Sequence, residues 1–135
     1  MLSTPRRGTT TERALARALV RLGLKCRMDL RPESTLRCKA DFVFRRAHVC
    51  VFVDGCFWHG CVQHFSVPKR NRGWWSEKIA DNRKRDRRQT RQLRQAGWVV
   101  IRVWEHELSA KRLASVAGGI ASLVAKQQAI VKHRA

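Results

Sequence analysis

The chain has 135 residues, with 29 Lys+Arg against 10 Asp+Glu and a formal net charge of +19 at pH 7. That length suits one domain, and the 44% hydrophobic content excludes wholesale disorder. No run of about 18 apolar residues is present, which excludes a membrane span, and the N-terminal stretch lacks the apolar core of a secretion signal.

Residues 1–11 read as a short polar arm, 12–127 as a single domain and 128–135 as a tail. Thr9-x-x-Glu12 matches a capping box ahead of an apolar stripe, Leu15, Leu19 and Leu22, with Gly23 as a helix stop. Residues 24–40 read as irregular with room for one short strand. The β-rich runs 41–44 and 48–53, parted by Arg45-Arg46-Ala47, predict a hairpin. A long helix is predicted from Gly73 or Trp74 to Ala96, capped by Gly97. The near-continuous apolar run Trp98–Trp104 then predicts a central strand, interrupted only by Arg102. A last helix over 110–127 carries Leu113, Val116, Ile120 and Leu123 on one face, and the closing residues should fray. The order helix, hairpin, helix, strand, helix predicts an α/β domain with a mixed sheet.

A charge excess of this size points to a polyanion, nucleic acid first. No basic amphipathic stretch with an exposed aromatic face suggests a membrane surface. The cysteines are five, Cys26, Cys38, Cys50, Cys56 and Cys61. An odd count without an export signal fits a reducing, cytoplasmic compartment, where clustered cysteines bind metal more often than they pair. Cys56-x4-Cys61-x2-His64 offers two thiolates and an imidazole, the ligand types of tetrahedral Zn²⁺. His106 is the best remote fourth ligand and Cys50, inside a strand, a poorer one. The competing reading makes Cys56 and Cys61 small buried residues and His64 a surface histidine.

Asp41 opens a strand otherwise made of Phe and Val, where Asp is disfavoured. It is either a turn or cap residue or a carboxylate for a hard cation such as Mg²⁺, and Asp54, ending the neighbouring strand, could point at the same place. Ile79, Asp86 and Leu93 share a helical face, with Trp75 and Asn82 close to it. A carboxylate on an apolar stripe needs a partner. Asp86 is therefore either in a structural ion pair with neighbouring arginines or oriented toward a histidine, for which His59 is the candidate. Glu12 serves equally as a capping-box residue or as a neighbour of a catalytic metal. Arg83, Arg87, Arg91 and Arg94 form a basic stripe that too few acids offset. Phe57-Trp58 and Trp74-Trp75 are aromatic pairs beside basic residues, a pattern suited to stacking on bases, although Trp75 points near the Ile79 face and is partly core on this reading.

Three blocks together resemble the very-short-patch-repair (Vsr) mismatch endonucleases: Val51-Phe52-Val53-Asp54-Gly55-Cys56-Phe57-Trp58-His59-Gly60-Cys61, then Pro68-x-x-Asn71-x-x-Trp74-Trp75-x-x-Lys78-Ile79-x-x-Asn82-x-x-Arg85-Asp86, then Gly97-Trp98-x-Val100-x-Arg102-Val103-Trp104-Glu105. With Glu12 and Asp41 the likeness spans residues 12 to about 108. It implies a restriction-endonuclease-like fold, a mixed sheet flanked by helices with a structural zinc site. It implies a Mg²⁺-dependent nick 5′ of the thymine in T:G mismatches left by deamination of 5-methylcytosine. Asp41 would be the main Mg²⁺ ligand, assisted by the backbone carbonyl of Val53, with Glu12 nearby, His59 as the base and Asp86 supporting it. Cys56, Cys61, His64 and His106 would hold zinc. Phe57, Trp58 and Trp75 would form the wedge beside the mismatch, with Lys78, Asn82 and Arg85 as further DNA contacts.

By the same resemblance the partner is double-stranded DNA, the protein acts as a monomer, and accessory repair proteins join it. The family's Pro-Asp is Ala40-Asp41 here, and Cys56 stands where many nucleases place an active-site lysine. Two competing functions remain: a related restriction or defence nuclease, and a non-catalytic zinc-stabilised DNA-binding module.

Overall fold

A computed structural model describes residues 10–56 and 68–134 of the chain. Helix α1 (Thr10–Arg21) is followed by strands β1 (Arg27–Leu30), β2 (Ala40–Phe44) and β3 (Val49–Asp54). Helix α2 (Arg72–Gln95), strand β4 (Val99–Trp104), a 3₁₀ turn (Glu105–Leu108) and helix α3 (Leu113–Arg134) complete it. The sheet runs in the order β1-β2-β3-β4, antiparallel through β3, while β3 and β4 are parallel and joined across α2. The architecture is thus α/β with a mixed sheet, as the sequence predicts.

Side-chain alternation divides the interior into two layers. Phe42, Phe44, Val49, Val51 and Val103 face α1 and α3, where Leu15, Leu19, Ala117, Ile120 and Val124 close the first core. Val43, Cys50, Phe52 and Val100 face the other way, against Leu93 of α2, Trp98 and Cys38. Each layer buries apolar surface contributed by elements distant in the chain, which lets these short strands hold their register.

β1 is the one short strand for which residues 24–40 have room, with Met28 opposite Phe42 and Leu30 opposite Ala40. Three expectations need correction. β4 is an edge strand among the described residues rather than a central one. Its apolar run comes from cover on both faces: Val103 packs toward α1 and α3, and Val100 toward α2. Leu22 lies beyond the end of α1 and is 51% exposed. Gly23 turns the chain at φ 81°, the Leu24 amide donates back to the Leu19 carbonyl at 3.1 Å, and Leu24 takes the apolar contact instead. Finally, α3 continues to Arg134 instead of fraying after 127, because packing against the first core holds it through Gly118-Gly119.

Leu93 is completely buried between α2 and the sheet. Leu93→Ala is expected to lower the unfolding free energy by about 2–5 kcal/mol. Leu22→Ala should stay within about 0.5 kcal/mol. Urea denaturation of the two variants measures both.

Candidate active site

β2 and β3 run antiparallel, so the start of one lies beside the end of the other, and Asp41 sits next to Val53. The Val53 amide donates to Asp41 Oδ2 at 2.7 Å. From the other side, the β1 register sets Asp29 across from Asp41, and α1 brings in Glu12. Ligand oxygens of Glu12, Asp29 and Asp41 all lie within 4.8 Å of one another. Three carboxylates so close repel one another unless a proton or a cation stands between them. Burial pushes the Asp41 carboxyl up to about 7, and the charges of Glu12 and Asp29 add to that, against the Val53 amide, which favours the ionised form.

Glu12 is buried in the first turn of α1 and hydrogen-bonds Asp41, while Thr9, on which the capping-box reading turns, lies outside the described residues. Asp29 is a residue the sequence reading missed. It holds a left-handed backbone at φ 54°, a conformation that Asp tolerates better than most residues. The only advance signal was an Asp within the short run Arg27–Leu30, and its meaning depends on a register that no local pattern reveals.

Asp41 opens onto a cleft of about 470 Å³, shared with Val53, Asp54, Arg85, Asp86 and Arg102. Asp54 does not join the acid cluster as expected. It pairs with Arg102, whose Nη1 donates to Asp54 Oδ1 at 2.9 Å. The same guanidinium donates through Nε to Thr90 Oγ1 at 2.8 Å and through Nη2 to the Asp86 carbonyl at 3.4 Å. It also lies 4.3 Å from the centroid of the Phe52 ring. Asp86 Oδ1 is 4.0 Å from Arg102 Nη1. The ion-pair reading of Asp86 therefore holds in part, with Arg102 of β4 as one partner.

At the end of β3, Cys56 Sγ lies 3.3 Å from His106 Nδ1, carried to it by the 3₁₀ turn. Tetrahedral Zn²⁺ with Zn–S of about 2.3 Å and Zn–N of about 2.0 Å holds such a pair about 3.5 Å apart, so these two donors fit one metal. Cys50, the poorer alternative, is fully buried, and burial pushes its thiol up to about 12, far from the thiolate a metal needs.

The expected contributions of Phe57, Trp58, His59, Cys61 and His64 lie outside the described residues. Trp75 is half-buried, while Lys78 and Arg85 are exposed, Arg85 on the cleft. Asn82, expected to reach DNA, is buried instead, on the α2 face that carries Ile79 and Leu93.

A family model described as DNA mismatch endonuclease Vsr matches residues 1–64. The type II nicking enzyme V.NaeI of Lentzea aerocolonigenes is 44% identical over 118 residues, 86% of this chain and 71% of that protein. The type II nicking enzyme V.NmeDIP of Neisseria meningitidis serogroup C is 40% identical over 110 residues, 80% and 72% of the two chains. The DNA mismatch endonuclease Vsr of Escherichia coli K12 is 39% identical over 101 residues, 73% and 62% of the two.

Because the Asp41 carboxyl keeps its proton up to about 7 when folded, against 3.8 ordinarily, the unfolded chain loses that proton first. This group's contribution to stability therefore falls as pH rises from about 4 through 7. Metal-free protein should lose melting temperature across that window, Mg²⁺ should restore more of it at pH 8 than at pH 5, and Asp41→Asn should flatten both effects in calorimetry.

Removing the guanidinium in Arg102→Met strands Asp54 beside an apolar group. That variant is expected to lose about 3 kcal/mol in urea unfolding, the lower end for breaking a buried pair. The double variant with Asp54→Leu should recover part of it.

Proposed function

The chain belongs to the Vsr DNA mismatch endonuclease family and is a DNA endonuclease, and on that premise we propose that it nicks duplex DNA 5′ of the thymine in T:G mismatches, with Mg²⁺ at Asp41. The observation that carries this reading is the clustering of Glu12, Asp29 and Asp41 from three separate elements, with Asp41 on a cleft that Arg37, Lys39, Arg85 and Arg102 also line. A cation held there supplies charge neutralisation and polarisation of the scissile phosphate. The fit rests on the chemistry of the donors, hard carboxylate oxygens of the kind Mg²⁺ takes.

In this reading Asp41 is the principal ligand, kept in one orientation by the Val53 amide, while the Val53 carbonyl contributes from the same backbone. Glu12 and Asp29 complete the negative charge. Arg85, exposed on the cleft, receives the phosphate oxygens. His59 takes the proton from the attacking water, and Asp86, held from one side by Arg102, fixes the tautomer that allows it. Cys56, Cys61, His64 and His106 hold a structural zinc that fixes the loop presenting Phe57, Trp58 and His59. The pairing of Cys56 with His106 supports that part. Lys78 and Arg85 contact the DNA backbone.

Because relatives bear the names of nicking enzymes as well as of a mismatch endonuclease, a second reading is a nuclease tied to a restriction system. A merely binding module is disfavoured, since DNA binding has no use for three clustered carboxylates. Assays on duplexes differing only in one T:G or T:A pair separate the two nucleases. The proposal expects Mg²⁺-dependent cutting of one strand of the T:G duplex alone, and equal rates on the matched duplex would overturn it. His59→Ala should bind DNA normally yet lose nicking. Elemental analysis should find about one zinc per chain, and Cys61→Ser should lose it.

A further inference from the structure

The end of β2 away from Asp41 carries a second concave surface. A cavity of about 670 Å³ opens there between the turn after α1, the start of β1, the hairpin corner and α3. Lys25, Arg27, Arg45 and Arg46 line it, and no Asp or Glu does. Arg45 is turned inward, its guanidinium donating to the carbonyls of Pro32 and Arg31 at 3.4 Å. Lys25, Arg27 and Arg46 are exposed, and none meets a carboxylate among the described residues. Behind them, Leu24, Phe44 and Val124 form a wall continuous with the first core.

Apolar surface gathers at the same corner. Val20 is 66% exposed and Leu22 51%, two of the three large hydrophobic side chains left in solvent among the described residues. The Gly23 amide, on the cavity wall, donates to the Val20 carbonyl at 2.9 Å, which ties the last turn of α1 to the cavity. Unmatched cations call for an anionic ligand, and bare aliphatic chains beside them call for an apolar one.

Of the available occupants, few satisfy both demands. A nucleic-acid backbone supplies the charge but leaves Val20 and Leu22 uncovered, since protein–DNA interfaces are strongly polar. A second copy of this chain, at +19, would add repulsion rather than counter-charge. Residues 1–9 and 57–67, outside the described part, contain no Asp or Glu, so this chain does not supply the acids itself. A polypeptide segment with carboxylates and aliphatic side chains side by side meets both needs.

We propose that this cavity docks an acidic, aliphatic-bearing segment of a protein partner, with its carboxylates on Lys25, Arg27 and Arg46 and its aliphatic side chains against Val20 and Leu22. The cavity and the catalytic cleft share no lining residue. Asp41 on the cleft and Phe44 on the cavity stand about 10 Å apart along β2. A partner seated here therefore leaves the cleft open. The proposal depends neither on T:G specificity nor on the metal.

The test uses a fluorescein-labelled peptide of repeated Glu-Glu-Leu, with repeated Glu-Glu-Ser as control, titrated by anisotropy onto the metal-free protein. The Leu peptide should bind more tightly than the Ser peptide. Lys25→Glu combined with Arg46→Glu should weaken the Leu peptide about tenfold or more. Lys111→Glu combined with Arg112→Glu makes the same change in net charge at exposed positions just before α3, and should cost about twofold at most. Val20→Ser with Leu22→Ser should weaken the Leu peptide about threefold and leave the Ser peptide unaffected. All these positions are exposed, so melting curves like that of the parent verify the fold. A saturating matched duplex should leave the Leu peptide bound. Equal losses in the two charge-reversed proteins would mark diffuse attraction and overturn the proposal. So would failure of the Leu peptide to bind, equal affinity for both peptides, or displacement by the duplex, which would give the cavity to DNA.

Discussion

One guanidinium organises the catalytic end of this molecule. Arg102 projects from β4 into the layer between sheet and α2, where it meets Asp54 at the end of β3, Thr90 and Asp86 on α2, and the face of Phe52. A strand that is otherwise apolar tolerates this charge because every side of the guanidinium meets an acceptor or an aromatic face. The consequences are electrostatic as much as mechanical. Asp54 is matched to a cation, which separates it from the acid cluster although it lines the same cleft. The carboxyl pushed toward neutrality is Asp41, the one beside Glu12 and Asp29. The cleft is thereby divided into a half whose charge is matched within the protein and a half whose charge is built to be matched from outside it.

That second half has no local origin. Glu12 arrives from a helix, Asp29 from a strand backbone in a left-handed conformation, and Asp41 from the first turn of a hairpin strand. Pairing β1 with β2 closes the cluster, so the site exists only once the sheet has formed its register. Holding like charges together costs stability, a cost that functional sites commonly carry and that the two apolar layers on either side of the sheet offset.

How much of this was legible in the sequence follows the range of the interactions. The hairpin, α2, β4 and the face of α3 could be read because their signals, alternation, helical period and glycine stops, are local. Gly97, at φ 95°, ends α2 where expected, and the Trp98 amide returns to the Leu93 carbonyl at 3.0 Å. Asp41 stood out as an acid in the wrong local company, Glu12 read equally well as a capping residue, and Cys56 and His106 read as metal-type ligands; the fold brings each pair together. Asp29 and the Arg102–Asp54 pair were invisible for the same reason that β4 was misplaced as central. Each depends on which strand lies next to which, and a run of apolar residues reports only that both faces are covered. For Asn82 the helical period was the better guide: it put the residue close to the face of Ile79 and Leu93, where it is buried, whereas the resemblance alone turned it toward DNA.

The length of α2 bears on how this chain can vary over generations. A single uninterrupted helix carries Trp74 and Trp75 at one end and Asp86 about three turns later. Inserting or deleting one residue between them would swing one end by about 100° relative to the other. It would also move Asp86 away from Arg102 or turn the aromatic pair to another side of the helix. The loop between β1 and β2 carries no such constraint beyond its contacts with the sheet, so it can absorb changes of length that α2 cannot. Among descendants of this sequence, gaps should collect in that loop, while the interval from the paired tryptophans to Asp86 stays constant in residue count even where its side chains drift.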